Sequence, residues 1–301
     1  MKIKFVSAFA TAIVLLFSAC DFVTVPDQEL LSGGPGSNDT TVTIDSVRKV
    51  LLEDYTGHKC PNCPSAAATA ASIAAANGDD VIVIGVHAGF FANPMASGTQ
   101  FLRDFRTTAG TAYDGFFGIS AIGNPNGMIN RKDYTSSTVV HVKNPGTWST
   151  EVAAELTKPA TAGVEIENTY NSSTRVLNCS VNSMFFYDTL TGGPYKLVVM
   201  MIQNSIISDQ QDGSTYVPSY IHEHVLRANI NGTWGDNLLT GAIVAGDLIS
   251  KSYTYTLPAT FPIAGGASST VCDDNECYIV AFIYNDATKE VIDVEERKLI
   301  P

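Results

Sequence analysis

Val50-Leu51-Leu52-Glu53-Asp54-Tyr55-Thr56-Gly57-His58-Lys59-Cys60-Pro61-Asn62-Cys63-Pro64 is the stretch whose reading decides the fold. Arg48 to Asp54 reads as a strand. Pro64 to Ala76 reads as an Ala-rich helix, with Pro64 in its first turn and Gly78 as a stop after Asn77. Val81 to Val86 is a continuous apolar run between Asp80 and His87, the pattern of a strand buried on both faces of a parallel sheet. Strand, helix and strand make a right-handed βαβ unit, with Cys60 and Cys63 at the carboxyl end of its first strand. Backbone N–H groups at a helix start favour a thiolate over a thiol, and His58 and Lys59 add positive potential. One sulfur of such a pair can attack a disulfide while the other resolves the adduct. This chemistry requires Cys60 to face water. The competing reading is a static disulfide or two buried thiols.

Downstream, Ser97 to Phe105 reads as a helix with Phe101, Leu102 and Phe105 on one face. Gly127 to Asn130 and Thr138 to Val142 suit a hairpin, and Asn144-Pro145-Gly146 opens a last helix with Trp148, Val152 and Leu156 facing the core. The order of elements and the dithiol segment resemble the thioredoxin family. The resemblance implies that Cys60 is the nucleophile and Cys63 the resolving thiol. It implies that Asp54, six residues before Cys60, is a buried proton relay. It makes Pro125, in Gly123-Asn124-Pro125, a cis-proline platform for substrate backbone. Pro61-Asn62 replaces the family's Gly-Pro, and Lys59 stands where an aromatic is usual, so the direction of electron flow stays open. His87 ends a buried strand and reads as a hydrogen-bonded structural residue.

From Ala162 on, helix signals fade. Val164 to Tyr170, Arg175 to Phe186, Tyr195 to Ile207, Tyr220 to Ile230, Ser252 to Leu257, Tyr278 to Tyr284 and Glu290 to Glu296 read as strands. The expected fold is thus an α/β thioredoxin-like domain followed by an all-β, immunoglobulin-like antiparallel sandwich. Two strands joined by the turn Asp273 to Glu276 would bring Cys272 and Cys277 to disulfide distance, and export makes that bond plausible. Cys179 alternates with Leu177 and Val181 and should be buried and inert. Zinc shared by the two cysteine pairs, or held by His222 and His224 on one strand face, is the weaker alternative because no further ligand stands nearby. No metal or cofactor is therefore assigned. The bland reading of the two histidines is a polar strand face packed where the domains meet.

The N-terminus starts Met1-Lys2-Ile3-Lys4, runs apolar to Phe17 and reaches Leu16-Phe17-Ser18-Ala19-Cys20. That is a secretory signal too short to span a bilayer, and a Cys after the small-residue site resembles the lipobox of bacterial lipoproteins. The resemblance implies lipidation of Cys20, hence a membrane anchor. The expected organisation is a signal peptide at 1–19, a Gly/Ser-rich tether at 20–44, the thioredoxin-like domain at 45–160 and the β-sandwich at 161–301. The formal net charge of -12 argues against nucleic acid and against a basic membrane-binding face.

The lipobox, Tyr55-Thr56-Gly57, Cys60 to Pro64, Gly123-Asn124-Pro125 with Met128 to Arg131, and His222 to Arg227 together resemble a narrower family, the outer membrane protein 28-related lipoproteins. That resemblance implies a lipid-anchored protein of the Gram-negative outer membrane. Asp39-Thr40-Thr41, Asp45-Ser46-Val47 and Asp188-Thr189-Leu190 look like an O-glycan acceptor pattern. Two functions follow. One is thiol–disulfide exchange through Cys60 and Cys63, with envelope proteins carrying thiols or disulfides as partners. The other is a binding or adhesion lipoprotein whose dithiol is a structural disulfide.

Overall fold

Strand β1 (Val50–Thr56), helix α1 (Cys63–Asn77) and strand β2 (Val81–His87) form the expected βαβ unit, and β1 and β2 pair in parallel from Val50 opposite Val81 to Thr56 opposite His87. This computed structural model describes residues 44–188, 193–238, 243–262 and 267–300. The expected signal peptide, Cys20, and the triplets at Asp39 and Asp188 lie wholly or partly outside the described residues. Every residue of β2 is buried, which explains its uninterrupted apolar sequence.

Helix α2 (Thr108–Phe117) comes next, followed by the short α3 (Ile119–Ile122). The Thr107 side chain caps α2 by accepting from the Gly110 N–H, and Gly118 ends it with φ 71°. The helix expected over Ser97 to Phe105 does not form. Phe101 has φ 54°, and its N–H donates to Asp209, so the segment runs irregularly and its aromatics insert one by one. Strand β3 (Asn126–Ile129) pairs antiparallel to β1. Its hairpin partner is not Thr138 to Val142, which is not extended into a strand; the single residue Lys143 bridges Gly127 instead. Helix α4 (Trp148–Leu156) follows the Pro145–Thr147 turn as expected and buries Trp148 and Val152.

The remaining strands are β4 (Ala162–Asn171), β5 (Val176–Phe185), β6 (Tyr195–Gln203), β7 (Ile206–Asp212), β8 (Thr215–His222), β9 (Val225–Asn229), β10 (Asp236–Asn237), β11 (Leu248–Thr256), β12 (Thr260–Phe261), β13 (Thr270–Val271), β14 (Cys277–Asn285) and β15 (Val291–Lys298). They do form a sandwich layer: the sheet β11-β5-β4 packs Val164, Ile166, Leu177 and Val181 on Leu197, Val199, Met201 and Ile279. That sandwich is not a separate domain, however. Its larger sheet runs β15-β14-β6-β9-β2-β1-β3, so the strands on either side of residue 160 belong to one sheet. The described residues from Ile44 to Ile300 fall in one compact unit. A boundary at 160/161 marks only where helices stop.

The reason is burial. On one face of the common sheet, Leu51, Tyr55, Ile82, Ile84 and Tyr113 share a core with Val198, Met200, Leu226, Val280, Phe282 and Val294. A fragment spanning 45–160 would expose that face and the edge of β2. We expect it to lack a cooperative thermal transition, whereas the chain from residue 45 to its end unfolds in one step. Circular dichroism melting of the two proteins checks this, and two separate transitions in the longer one would contradict it.

Candidate functional site

The Cys60–Cys63 disulfide is formed, with 5.4 Å between the Cα atoms. Gly57 to Asn62 makes the loop from β1 into α1, and Cys63 is the first residue of the helix. A Cβ at Gly57 would stand 2.4 Å from the Phe91 carbonyl carbon, so only glycine lets the loop lie this close to Phe91. Lys59 N–H donates to the Phe91 carbonyl at 3.1 Å.

Cys60 is 0% and Cys63 2% exposed. The expectation of a water-facing Cys60 is therefore overturned. The cover is the β7–β8 hairpin, which stands off the main sheet and reaches across the loop. Gln211 N–H donates to the His58 carbonyl and Gly213 N–H to the Pro61 carbonyl, each at 2.8 Å. The Gln210 side chain donates to the Cys60 carbonyl at 3.0 Å. Phe101 adds a lid over His58, with ring centroids 5.6 Å apart. No local sequence signal announces this seal, because it joins residues about 150 positions apart.

Asp54 lies in β1 opposite Gly85 and is buried, as expected. Its Oδ1 has no hydrogen-bond partner, and desolvation pushes its carboxyl up to about 7. The Asn124–Pro125 peptide is cis, as expected, and the Asn124 amide donates to the Ala88 carbonyl at 3.3 Å. Asp54 and Cys63 line one pocket of about 580 Å³ beside α1; Cys60 and Pro125 do not. Its other walls are alanines of α1, Val83 and Gly85 of β2, and the chain from Tyr220 to His224. The pocket exists because β9 meets β2 at one position only, Gly85 opposite Val225.

His222 and His224 do not share a strand face. β8 ends at His222, and His224 has φ 55°, with its N–H bound to Asn204 Oδ1 at 2.7 Å. His222 instead packs on His87 and Phe105, with centroids 5.6 and 4.9 Å apart. Burial lowers His87 well below the ordinary imidazole range and His222 to about 4, so both rings are neutral. Among the described residues no group of three or more His, Cys, Asp or Glu is placed to hold a metal.

Cys272 and Cys277 are buried thiols, not the expected disulfide. Their sulfurs lie 3.9 Å apart, and the Cys277 thiol donates to the Asp273 carbonyl. β13 pairs with β12 rather than β14, so no two-strand register draws the sulfurs into bonding distance. Cys179 is buried, and desolvation raises its thiol to about 11. Among the described residues no helix is long and apolar enough to cross a membrane.

These features define a mixed α/β protein with a β-sandwich layer and a sealed C-x-x-C disulfide at a strand–helix junction. The model of the family "outer membrane protein Omp28" matches residues 111–300, more than half of the chain, and the chain belongs to that family, an outer-membrane-associated protein of the cell envelope. Among solved structures it is similar to HBP35 of Porphyromonas gingivalis (TM-score 0.62, 16% identity, covering 85% of this chain and 77% of that one). Matches of lower TM-score are a domain of the outer membrane lipoprotein Omp28 from Porphyromonas gingivalis (0.31, 21% identity, 46% of this chain and 88% of that one) and an Agrobacterium tumefaciens protein (0.45, 11% identity, 85% and 96%). A comparison with curated proteins found no match.

Proposed function

We infer that this is a lipid-anchored envelope protein, tethered through Cys20, whose thioredoxin-like half carries out thiol–disulfide exchange at Cys60 and Cys63. The observation that carries this reading is Asp54. A buried carboxyl that ionises near 7, in the same pocket as Cys63, can take and return a proton at physiological pH. A purely structural disulfide has no use for such a group, and leaving Asp54 Oδ1 unpaired is costly. The cis peptide before Pro125 and the placing of Cys63 at a helix start support the same reading.

The burial of both sulfurs favours a second reading, a binding lipoprotein in which the disulfide staples a scaffold. The reduction potential separates the two. Exchange predicts a Cys60–Cys63 potential above about -300 mV, and a scaffold one below it. Equilibration of the full chain with dithiothreitol redox buffers, read by mass after alkylation, gives the value. A potential below that limit would leave only the scaffold.

A further inference from the structure

The geometry points to Cys63, not Cys60, as the sulfur that exchanges, and to a low-molecular-weight thiol or disulfide, not a protein, as its partner. This rests on the exchange reading above. Three observations carry it. Cys60 is fully buried beneath main-chain hydrogen bonds from the β7–β8 hairpin, so no polypeptide can lie against it. Cys63, although only 2% exposed, lines the pocket, and Cys60 does not. The pocket volume of about 580 Å³ is that of a small-molecule site. Cys63 is also the first residue of α1, where backbone N–H groups stabilise a thiolate. The order of attack is thus the reverse of the one the thioredoxin resemblance implies.

The chemistry balances without any other reactant. A small thiol enters the pocket and gives its proton to the Asp54 carboxylate. Its sulfur bonds to Cys63 Sγ, the Cys60–Cys63 bond breaks, and Cys60 leaves as a thiolate that takes up a proton. A second small thiol then attacks the small-molecule sulfur of that mixed disulfide. Cys63 departs and is protonated from Asp54, while the proton of the second thiol goes to solvent in place of the one Cys60 took. Two thiols are oxidised to one disulfide, and the protein disulfide is reduced to two thiols. Run backwards, the same steps reduce a small disulfide.

Cystine is the probe. It is added at neutral pH to full-length Cys60→Ser and Cys63→Ser proteins, and adducts are located by fragment-ion mass spectrometry. Cys63 in the first variant is expected to form its mixed disulfide at least tenfold faster than Cys60 in the second. Adding Ala67→Leu to Cys60→Ser, which narrows the pocket from α1, should slow that reaction at least tenfold with the melting temperature little changed. Because single-cysteine variants can misfold, wild-type protein is also treated with free cysteine and quenched in acid, and the adduct should map to Cys63. An adduct on Cys60, or equal rates in the two variants, overturns the assignment of Cys63 while leaving the exchange reading standing. No adduct on either cysteine, together with a potential below about -300 mV, overturns both.

Discussion

Glu53→Gln is expected to destabilise the protein by about 3–5 kcal/mol, because it strands a buried cation. Glu53 and Arg131 are 1% and 0% exposed and joined by a bidentate pair, Arg131 Nε to Oε2 at 2.8 Å and Nη2 to Oε1 at 2.7 Å. The guanidinium carbon sits 4.4 Å from the Tyr113 ring centroid, 5.3 Å from Phe117 and 4.9 Å from Phe282. Burial works against its charge, and the Glu53 carboxylate more than offsets this, holding Arg131 above its ordinary range. Removing the carboxylate charge leaves a cation in an aromatic box without its counter-ion. Arg131→Met should cost a similar amount by stranding Glu53. The double variant Glu53→Leu/Arg131→Met should recover much of the loss, since replacing both ions by apolar groups is often near neutral. Urea denaturation of wild type, Glu53→Leu, Arg131→Met and the double variant gives the coupling. Additive losses in the double variant would show that the pair does not act as a unit.

Asp54→Asn should act in the opposite direction. The folded protein holds the Asp54 proton up to about pH 7, whereas an unfolded chain releases it near 3.8. Folding therefore takes up a proton between those values. The contribution of Asp54 to stability is harmless at acid pH, turns unfavourable as pH rises from about 4 to about 7, and stays so above. Asparagine removes that dependence, so at pH 8 the variant should be more stable than wild type by up to about 4 kcal/mol, at roughly 1.4 kcal/mol per pH unit. At pH 4 the two should match within about 1 kcal/mol. Burial also raises the carboxyls of Asp293 and Glu296, so the informative quantity is the difference between the two proteins at each pH. A constant difference from pH 4 to pH 8 would rule Asp54 out as the titrating group. Under the exchange reading, the same variant should also exchange more slowly and lose the pH dependence of that rate near 7. Stability gained where activity is lost is the pattern of a functional group kept in an unfavourable place.

Local patterns carried a good part of this structure. The βαβ unit follows from an apolar run with no polar interruption, Val81 to Val86, and from Pro64 and Gly78 bracketing a helix. The burial of Asp54 and the cis peptide at Pro125 followed from residues matched to a family pattern. What failed was non-local. Phe101 and Phe105 stand at helical spacing but pack one by one on His58 and His87, so the pattern points to a helix that is absent. The real helix, Thr108–Phe117, was hidden by Gly110 and Gly115, which weaken its signal. The fusion of the two halves depends on β9 entering beside β2 by one bridge, which no composition or period encodes. The seal over the dithiol is likewise a long-range meeting of two loops.

The β7–β8 hairpin is fastened to the dithiol loop through both main chain and side chains. Two of its ties run from main-chain N–H groups, at Gln211 and Gly213, to main-chain oxygens. Such a tie does not depend on side-chain identity. Gln211 can therefore vary and keep its tie, whereas Asp209 and Gln210 hold Phe101 and the Cys60 carbonyl through their side chains. A hairpin about 150 positions away in sequence thus supplies the cover of Cys60.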